Sequence, residues 1–375
     1  WTPDDPYLYD LKVELLQDGR TVDTVDSYFG MRDVRIGKDE KGITRILLNG
    51  QPLFQIGPLD QGWWPDGLYT PPTDEAMRYD LEVLKKIGYN MLREHVKVAP
   101  TRFYTMCDRM GLLVWQDMPS GSTQNAPEQF MVELKELIDG LDNHPSIIMW
   151  VPFNEGWGQH DTEQVTEWVK NYDPSRLVNN ASGWTDKGVG DVHDIHSYPG
   201  PSIPPLEEER AVVLGEFGGL GLPLPGHTWQ DEKNWGYRSY TDSEALTDAY
   251  VSLMKKLHPL IGQGLSAAVY TQTSDVEIEV NGIMTYDRAV IKPDVDALAE
   301  AHARLFLPPP VKTTVVPTSQ EKAQTWSYTF DKPADNWIDA DFNASGWKTG
   351  PGGFGTANTP GTTVNTEWKT PDIWA

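Results

Sequence analysis

From about Gly42 to Phe306 the chain alternates short apolar runs with amphipathic helical patterns, and this alternation limits the fold more than any other feature. Such units pair as a parallel sheet, because each helical crossover returns the chain to the same end before the next strand begins. The candidate strands are 52–59, 89–96, 112–118, 147–154, 177–182, 191–198, 211–217 and 266–273. Helical patterns between them fall at 74–87, 100–110, 128–141, 162–171, 243–257 and 294–305. Eight strand-like runs over this length predict an α/β fold, a (β/α)8 TIM barrel, which typically takes about 250 residues. A doubly wound sheet is the alternative, but the Gly-rich phosphate fingerprint that marks its nucleotide-binding forms is absent from the sequence.

The flanks have a different texture. Residues 7–34 alternate apolar and polar positions around the turn Gln17-Asp18-Gly19-Arg20, the pattern of a β-hairpin. A lone hairpin cannot bury a core, so residues 1–40 are expected to be the end of an immunoglobulin-like β-sandwich, followed by the barrel at 41–306. Leu307-Pro308-Pro309-Pro310 opens a stiff linker assigned to 307–324. Residues 325–375 are rich in Trp, Gly, Thr and Asp and read as the truncated start of a second sandwich. With Trp1 in place of Met and a strand-like stretch at its last residues, the chain is expected to be a segment of a longer protein.

Composition removes several partners. Thirty-one Lys and Arg against 55 Asp and Glu give a formal charge of −24, a field that repels nucleic acid phosphates and anionic membrane surfaces. No run of about 18 apolar residues is available to span a bilayer. A single cysteine, Cys107, allows no internal disulfide. Fifteen tryptophans are more than such a chain ordinarily carries, and exposed indole faces suit stacking on sugar rings; the alternative is that they fill the core.

In barrels of this kind the reacting groups close the C-terminal ends of strands. Two glutamates do so. The run IIMWVPF ends in Asn154-Glu155-Gly156-Trp157, and the run AVVL ends in Gly215-Glu216-Phe217-Gly218. A carboxyl placed just past an apolar strand is desolvated unless it finds partners, which is how catalytic carboxyls are tuned; the alternative is an ordinary loop glutamate. Paired carboxylates of this kind perform glycoside hydrolysis. Competing chemistries lack their motifs: there is no His-Glu-x-x-His, Cys-x-x-Cys, Gly-x-Ser-x-Gly or phosphate loop. The stretch Asp339-Ala340-Asp341 imitates a calcium loop, but Ala344 replaces its turn glycine and Gly350 its last glutamate. Neither metal nor cofactor is expected.

These residues carry a resemblance. Trp1-Thr2-Pro3, Pro6-Tyr7-Leu8-Tyr9, Phe29-Gly30-Met31-Arg32, Leu48-Asn49-Gly50-Gln51-Pro52 and Cys107-Asp108 with Gly111-Leu112-Leu113-Val114 lead to NHPSIIMWVPFNE at 143–155 and Asp173-Pro174-Ser175-Arg176. Together they resemble glycoside hydrolase family 2, the β-galactosidase and β-glucuronidase family, over about Trp1 to Leu307. The resemblance implies Glu155 as acid/base and Glu216 as nucleophile of a retaining double displacement, in which Glu155 must hold its proton while Glu216 stays ionised. It further implies Asn154 against the sugar 2-hydroxyl, and Tyr198 and Arg93 beside the nucleophile. After that arginine, where the family carries a Ser-His-Tyr-Pro stretch, the chain runs Glu94-His95-Val96-Lys97, which sets His95 on the serine position of the pocket and Val96 on the histidine and marks a divergent branch. Asp117, Trp157, Trp184, His196 and Gln272 end or follow strands and complete the substrate-binding candidates, with His193 beside them. A magnesium site on Asp117, His95 and Glu155 is a lesser possibility.

The tail, with Trp337, Ser345-Gly346-Trp347 and Gly352-Gly353-Phe354-Gly355, resembles the opening of a galactose-binding-like sandwich. The expected function is a retaining exo-β-glycosidase degrading oligo- or polysaccharides, first of all a β-galactosidase, secreted or periplasmic, whose partner is a carbohydrate. A β-glucuronidase is the alternative and needs a cation for the sugar carboxylate, which Lys97 or Arg93 could supply; a silent sugar-binding module is the other.

Overall fold

A computed structural model describes residues 1–310, 315, 317–319, 322–356, 363–368 and 373–374. They form two compact units, Trp1–Pro310 and Val311–Ala375. Parts of the expected linker (311–314, 316, 320–321) and tail (357–362, 369–372, 375) lie outside the described residues.

The larger unit is built on eight parallel strands. In chain order these barrel strands are Gln55–Asp60, Met91–Glu94, Leu113–Asp117, Ile147–Val151, Leu177–Val178, Val192–Ser197, Ala211–Gly218 and Leu265–Thr271, numbered one to eight below. Their hydrogen-bonded order is 5-4-3-2-1-8-7-6, so strand one pairs with eight and the sheet curls into a TIM barrel. Between strands five and six the closure rests on the Asn179–Gly190 bridge and two bonds, Asp191 N–H to Val178 O and Val178 N–H to the Asp191 carboxylate. All eight expected strands are present. Helices Asp74–Lys86, Thr101–Met110, Pro127–Leu141, Thr162–Tyr172, Ser243–Gln263 and Val295–Leu305 match the six helical patterns; no helix fills the connections from five to six or six to seven. Helix starts follow local chemistry: Thr73, Asp242 and Asp294 each accept a hydrogen bond from a backbone N–H three residues on, satisfying a first-turn donor. No helix among the described residues is long and apolar enough to cross a membrane.

Two apolar layers follow from strand alternation. Met91, Leu113, Trp115, Met149, Val151, Val213, Ala267 and Val269 point into the barrel. Leu92, Val114, Trp150, Leu214, Ala268 and Tyr270 point out against the helices. The N-terminal end is closed by a small sheet of Val34–Lys38, Thr44–Leu48 and Gln51–Pro52, whose Val34, Ile46 and Leu48 join Trp1 in the inner layer.

Much of the motif sequence is spent at this closed end. Asp108 takes hydrogen bonds from the Tyr28 hydroxyl (2.7 Å), the Ser146 N–H (2.9 Å) and the His144 ring (2.6 Å), while its carbonyl accepts from the Trp1 indole (2.7 Å). Arg32 reaches the carbonyls of Pro145, Ser175 and Ile147. These contacts fasten the leading segment to the barrel floor, far along the strands from the reacting end.

The leading hairpin pairs Tyr9–Gln17 with Arg20–Phe29 across the expected turn, where Asp18 and Gly19 both have positive φ. In the smaller unit Thr325–Tyr328 pairs antiparallel with Lys348–Pro351, and Phe354–Gly355 pairs with Thr366–Glu367.

Candidate active site

The C-terminal mouth is organised by one arginine. Arg93 ends strand two facing inward and is fully buried. It grips Asp117, at the end of strand three, through Nε (3.0 Å) and Nη2 (2.8 Å). Nη2 also donates to Asn154 Oδ1 (2.9 Å), and Nη1 to Ser182 Oγ (2.8 Å), the Gly215 carbonyl (3.3 Å) and Glu216 Oε1 (3.4 Å). A buried guanidinium is tolerable only with its donors matched, and here they tie strands two, three, four and seven together. Burial opposes the ionised form of Asp117, yet Arg93 and His95 hold its carboxyl below the ordinary aspartate range.

Glu216 reaches the mouth through a bulge. Strict alternation from Val213 would turn Glu216 outward. The pairing of strands six and seven skips Gly215 (Ile195 opposite Leu214, His196 opposite Glu216), which inverts the phase and sends Phe217 to the outer layer. Only glycine fits there, since a Cβ would lie 2.2 and 2.3 Å from the Asp194 oxygens and 2.5 Å from Ser182 Oγ. Glu216 Oε2 accepts from the Tyr198 hydroxyl (2.7 Å), which also meets Thr271 Oγ1 (2.7 Å). Burial works to raise the Glu216 pKa, but His196, His95, Arg93 and the Tyr198 hydroxyl bring it below the usual glutamate value. Glu216 is thus kept as a carboxylate.

Glu155 follows strand four with φ of 52°, and its N–H donates to the Ser182 carbonyl (2.9 Å). Its Oε1 lies 2.8 Å from His196 Nδ1, which is also 3.4 Å from Glu216 Oε2. One donor atom each from Glu155, His196 and Glu216 lie within 4.8 Å of one another. Three such groups could also hold a small cation, although the observed contacts are already those of a hydrogen-bonded trio. Asp117 and His95 lean on each other (3.2 Å) while Glu155 bonds His196, so Asp117, His95 and Glu155, the lesser magnesium possibility, do not come together as one group.

The structure gathers Arg93, His95, Asp117, Asn154, Glu155, His196, Tyr198 and Glu216 into one network. Arg93, Asp117 and Gln272 are at most 1% exposed and bond protein groups, so they position neighbours. Gln272 accepts from Gln61 (2.7 Å) and donates to Asn281 (2.8 Å), which in turn donates to Glu279 (2.8 Å). Trp157 and Trp184 are 58% and 68% exposed, and Trp184 meets the His196 ring edge-on at 5.8 Å. His193 stands apart, paired with Glu207 at 2.8 Å.

Sequence reasoning missed Ser182, Asp194, Tyr237 and Glu279. Asp194 sits two residues before His196 on the same inward face, a spacing that could have flagged it. Tyr237 stacks on Tyr198 at 3.6 Å, and it comes from the irregular stretch after strand seven, which has no periodic signal. Glu279 lies in the loop after strand eight; burial and the nearby carboxylates Glu216, Asp275 and Glu155 push its pKa up to about 7 against the bond from Asn281.

An eight-stranded parallel barrel carrying a carboxylate pair at its C-terminal mouth is the arrangement found in barrel glycoside hydrolases. The family model for "Glycosyl hydrolases family 2, TIM barrel domain" matches residues 72–208, and that for "Glycosyl hydrolases family 2" matches residues 1–32. Over these two stretches the chain matches glycosyl hydrolase family 2. A Formosa agariphila protein provisionally named a β-glucuronidase is 29% identical over 261 residues, covering 67% of this chain and 24% of its own length. A β-galactosidase of Thermoanaerobacter pseudethanolicus is 32% identical over 182 residues, covering 47% of this chain and 24% of its own length. The chain thus spans about a quarter of the length of these relatives. A solved family 2 β-galacturonidase from Eisenbergiella tayi bound to galacturonate shares the fold with TM-score 0.63 at 20% identity, covering 81% of this chain and 59% of its own.

Proposed function

We propose that this chain is the catalytic barrel of a retaining exo-β-glycosidase acting on neutral terminal sugars, with β-galactosides as first substrates. The observation that carries the reading is the Glu155–Glu216 pair, brought close together from the ends of strands four and seven. A retaining mechanism uses carboxyls about 5–5.5 Å apart, one attacking the anomeric carbon and the other protonating the leaving oxygen. Glu216, held ionised by Arg93, His196 and the Tyr198 hydroxyl, suits the attack; Glu155, nearer solvent, suits proton transfer. Asn154 is oriented by Arg93 for the sugar 2-hydroxyl, and Trp157 and Trp184 offer exposed faces to sugar rings.

A neutral sugar is favoured over a uronate by the fate of the two cations available to hold a carboxylate. Arg93 is committed to Asp117, Asn154 and Glu216. Lys97 is buried against Glu94, with Asp60 3.9 Å away. The retention of both carboxyls in a matched network opposes a silent sugar-binding module. Export from the cytoplasm fits a polysaccharide-degrading role and is part of the same proposal.

The test is turnover of aryl β-galactoside, glucoside, mannoside, fucoside and glucuronide by the full-length parent protein beside its Glu216→Ala variant. Hydrolysis of a neutral glycoside, abolished in the variant, is the expected result. Glucuronide as the preferred substrate refutes the sugar assignment, and turnover of none refutes the hydrolase reading.

A further inference from the structure

His196 occupies a position whose hydrogen bonds can be counted completely. Its Nε2 lies 2.8 Å from Ser182 Oγ. That hydroxyl has one proton, and its shortest contact is the Asp194 carboxylate at 2.6 Å, an acceptor that can only receive it. Asp194 is itself fixed by the Gly215 N–H (2.6 Å) and the Asn179 amide (2.7 Å). Ser182 Oγ is then left with lone pairs, one taken by Arg93 Nη1 at 2.8 Å, the other facing the histidine. Nε2 must therefore carry a hydrogen. The ring's other nitrogen, Nδ1, faces only carboxylate oxygens, Glu155 Oε1 at 2.8 Å and Glu216 Oε2 at 3.4 Å. A bare Nδ1 beside an ionised Glu155 would set two lone pairs against each other, so exactly one proton belongs between them.

We propose that His196 is a positioning residue that holds the acid proton of the reaction jointly with Glu155, its tautomer fixed by Ser182 and Asp194. The inference rests on the hydrolase reading and assigns a source to its proton. In the first step Glu216 forms a bond to the anomeric carbon and the bond to the leaving oxygen breaks, its electron pair staying on that oxygen. The leaving oxygen takes the shared proton from Glu155 once the carboxyl has turned from Nδ1, leaving a carboxylate and a neutral imidazole. In the second step water adds to the anomeric carbon, the ester electron pair returns to Glu216, and the water proton returns to the Glu155–His196 pair. The charged groups facing the ring are Glu155, Glu216 and Asp194, with Arg93 as the opposing cation. Burial disfavours a charged ring, but Glu216, the bond to Glu155 and Asp194 together raise its pKa above the ordinary histidine value.

The test compares full-length wild type with His196→Asn on two β-galactosides, phenyl, whose leaving group needs protonation, and 2,4-dinitrophenyl, whose does not. General acid catalysis contributes about 10²–10⁴-fold. The expected result is a loss in kcat/KM at least ~10-fold greater for the phenyl substrate, with the basic limb of the pH profile moved to lower pH. Equal losses on both substrates, or an unmoved basic limb, overturn the proposal and leave His196 as a packing residue. A second readout needs no turnover: in ¹⁵N-histidine-labelled protein, with His196→Asn for assignment, Nε2 should stay protonated while Nδ1 titrates, and Glu155→Gln should move that titration. An Nδ1–H tautomer overturns the proposal. If wild type hydrolyses no glycoside but the ring behaves as described, the hydrolase reading fails while the shared proton stands.

Discussion

Replacing Arg93 by methionine tests the organisation of the barrel mouth. The substitution keeps an unbranched side chain of similar length and removes every donor that joins strands two, three, four and seven. Asp117 keeps only the His95 ring and the Val96 N–H, both at 3.2 Å, and stays 1% exposed. Removing one partner of a buried ion pair costs about 3–5 kcal/mol, because the remaining charge stays desolvated without compensation. At about 2–4 °C per kcal/mol for a unit of this size, the expected fall in Tm is roughly 6–20 °C. The pH dependence gives the sharper check. In the wild type the Asp117 pKa is depressed, so its contribution is full above the unfolded value and is lost as pH falls through the folded one. In the variant the same carboxyl, desolvated without its cation, titrates above its unfolded value, so the folded state binds the extra proton. Stability of the variant should rise relative to wild type as pH falls from 7 to about 5. Urea denaturation followed by tryptophan fluorescence at several pH values measures this. A deficit under ~1 kcal/mol at pH 7, or one that widens on acidification, would refute the reasoning. The companion Arg93→Met/Asp117→Leu variant should recover much of the loss, since apolar replacement of a whole buried pair is often neutral.

Gly215→Ala places a methyl group on the Asp194 carboxylate and Ser182, so it should destabilise by about 1–3 kcal/mol as an overpacked core site and displace His196 and Glu216. Thermal denaturation and kcat/KM on the best aryl glycoside read both effects, and unchanged kinetics would show that the bulge does not set the aim of Glu216. His302 is buried between the Ile87 carbonyl (2.6 Å) and the Tyr250 hydroxyl (2.8 Å), and burial lowers its pKa from 6.5 to about 4. Neutral in the fold and protonated when unfolded, it contributes stability that is full above about pH 6.5 and lost as pH falls toward 4, roughly 3 kcal/mol at 1.36 kcal/mol per pKa unit. A His302→Gln variant should lose less stability than wild type between pH 7 and 4.5 in urea titrations; equal losses would contradict it.

How far the sequence reveals this molecule depends on which interactions are periodic. Strand Leu113–Asp117 and helix Asp74–Lys86 were legible because burial imposes a two-residue or 3.6-residue rhythm, and that rhythm is local. Glu155 and Glu216 were legible because a charge ending an apolar run breaks the rhythm conspicuously. Arg93, Asp117 and Gln272 were legible as members of the site but not as buried positioning groups, since facing the cavity and facing a neighbour leave the same mark in a strand. Glu279 and Tyr237 lie on irregular loops, whose course is set by tertiary contacts such as the Tyr198 stack, and no local signal announces them. Lys97 looked like a rim cation; its pairing with Glu94 follows from the orientation of strand two, where Glu94 points outward to the helices.

Gly215 shows why the chemistry needed three dimensions. Read along the strand, AVVLGEFG gives no sign that its phase inverts, and strict alternation would have put Glu216 among the helices and Phe217 in the pocket. The inversion is held from strand six, where Asp194 accepts the Gly215 N–H and also takes the Ser182 hydroxyl proton. The same aspartate therefore does two things at once: it stabilises the bulge that aims the carboxylate, and it sets the tautomer of the histidine standing between the two glutamates. Losing it should impair nucleophile and acid together, so Asp194→Asn should reproduce on one residue the leaving-group-independent loss of Glu216→Ala and the pH shift of His196→Asn. A loss confined to poor leaving groups, measured on the same pair of substrates, would mean that the bulge holds without Asp194.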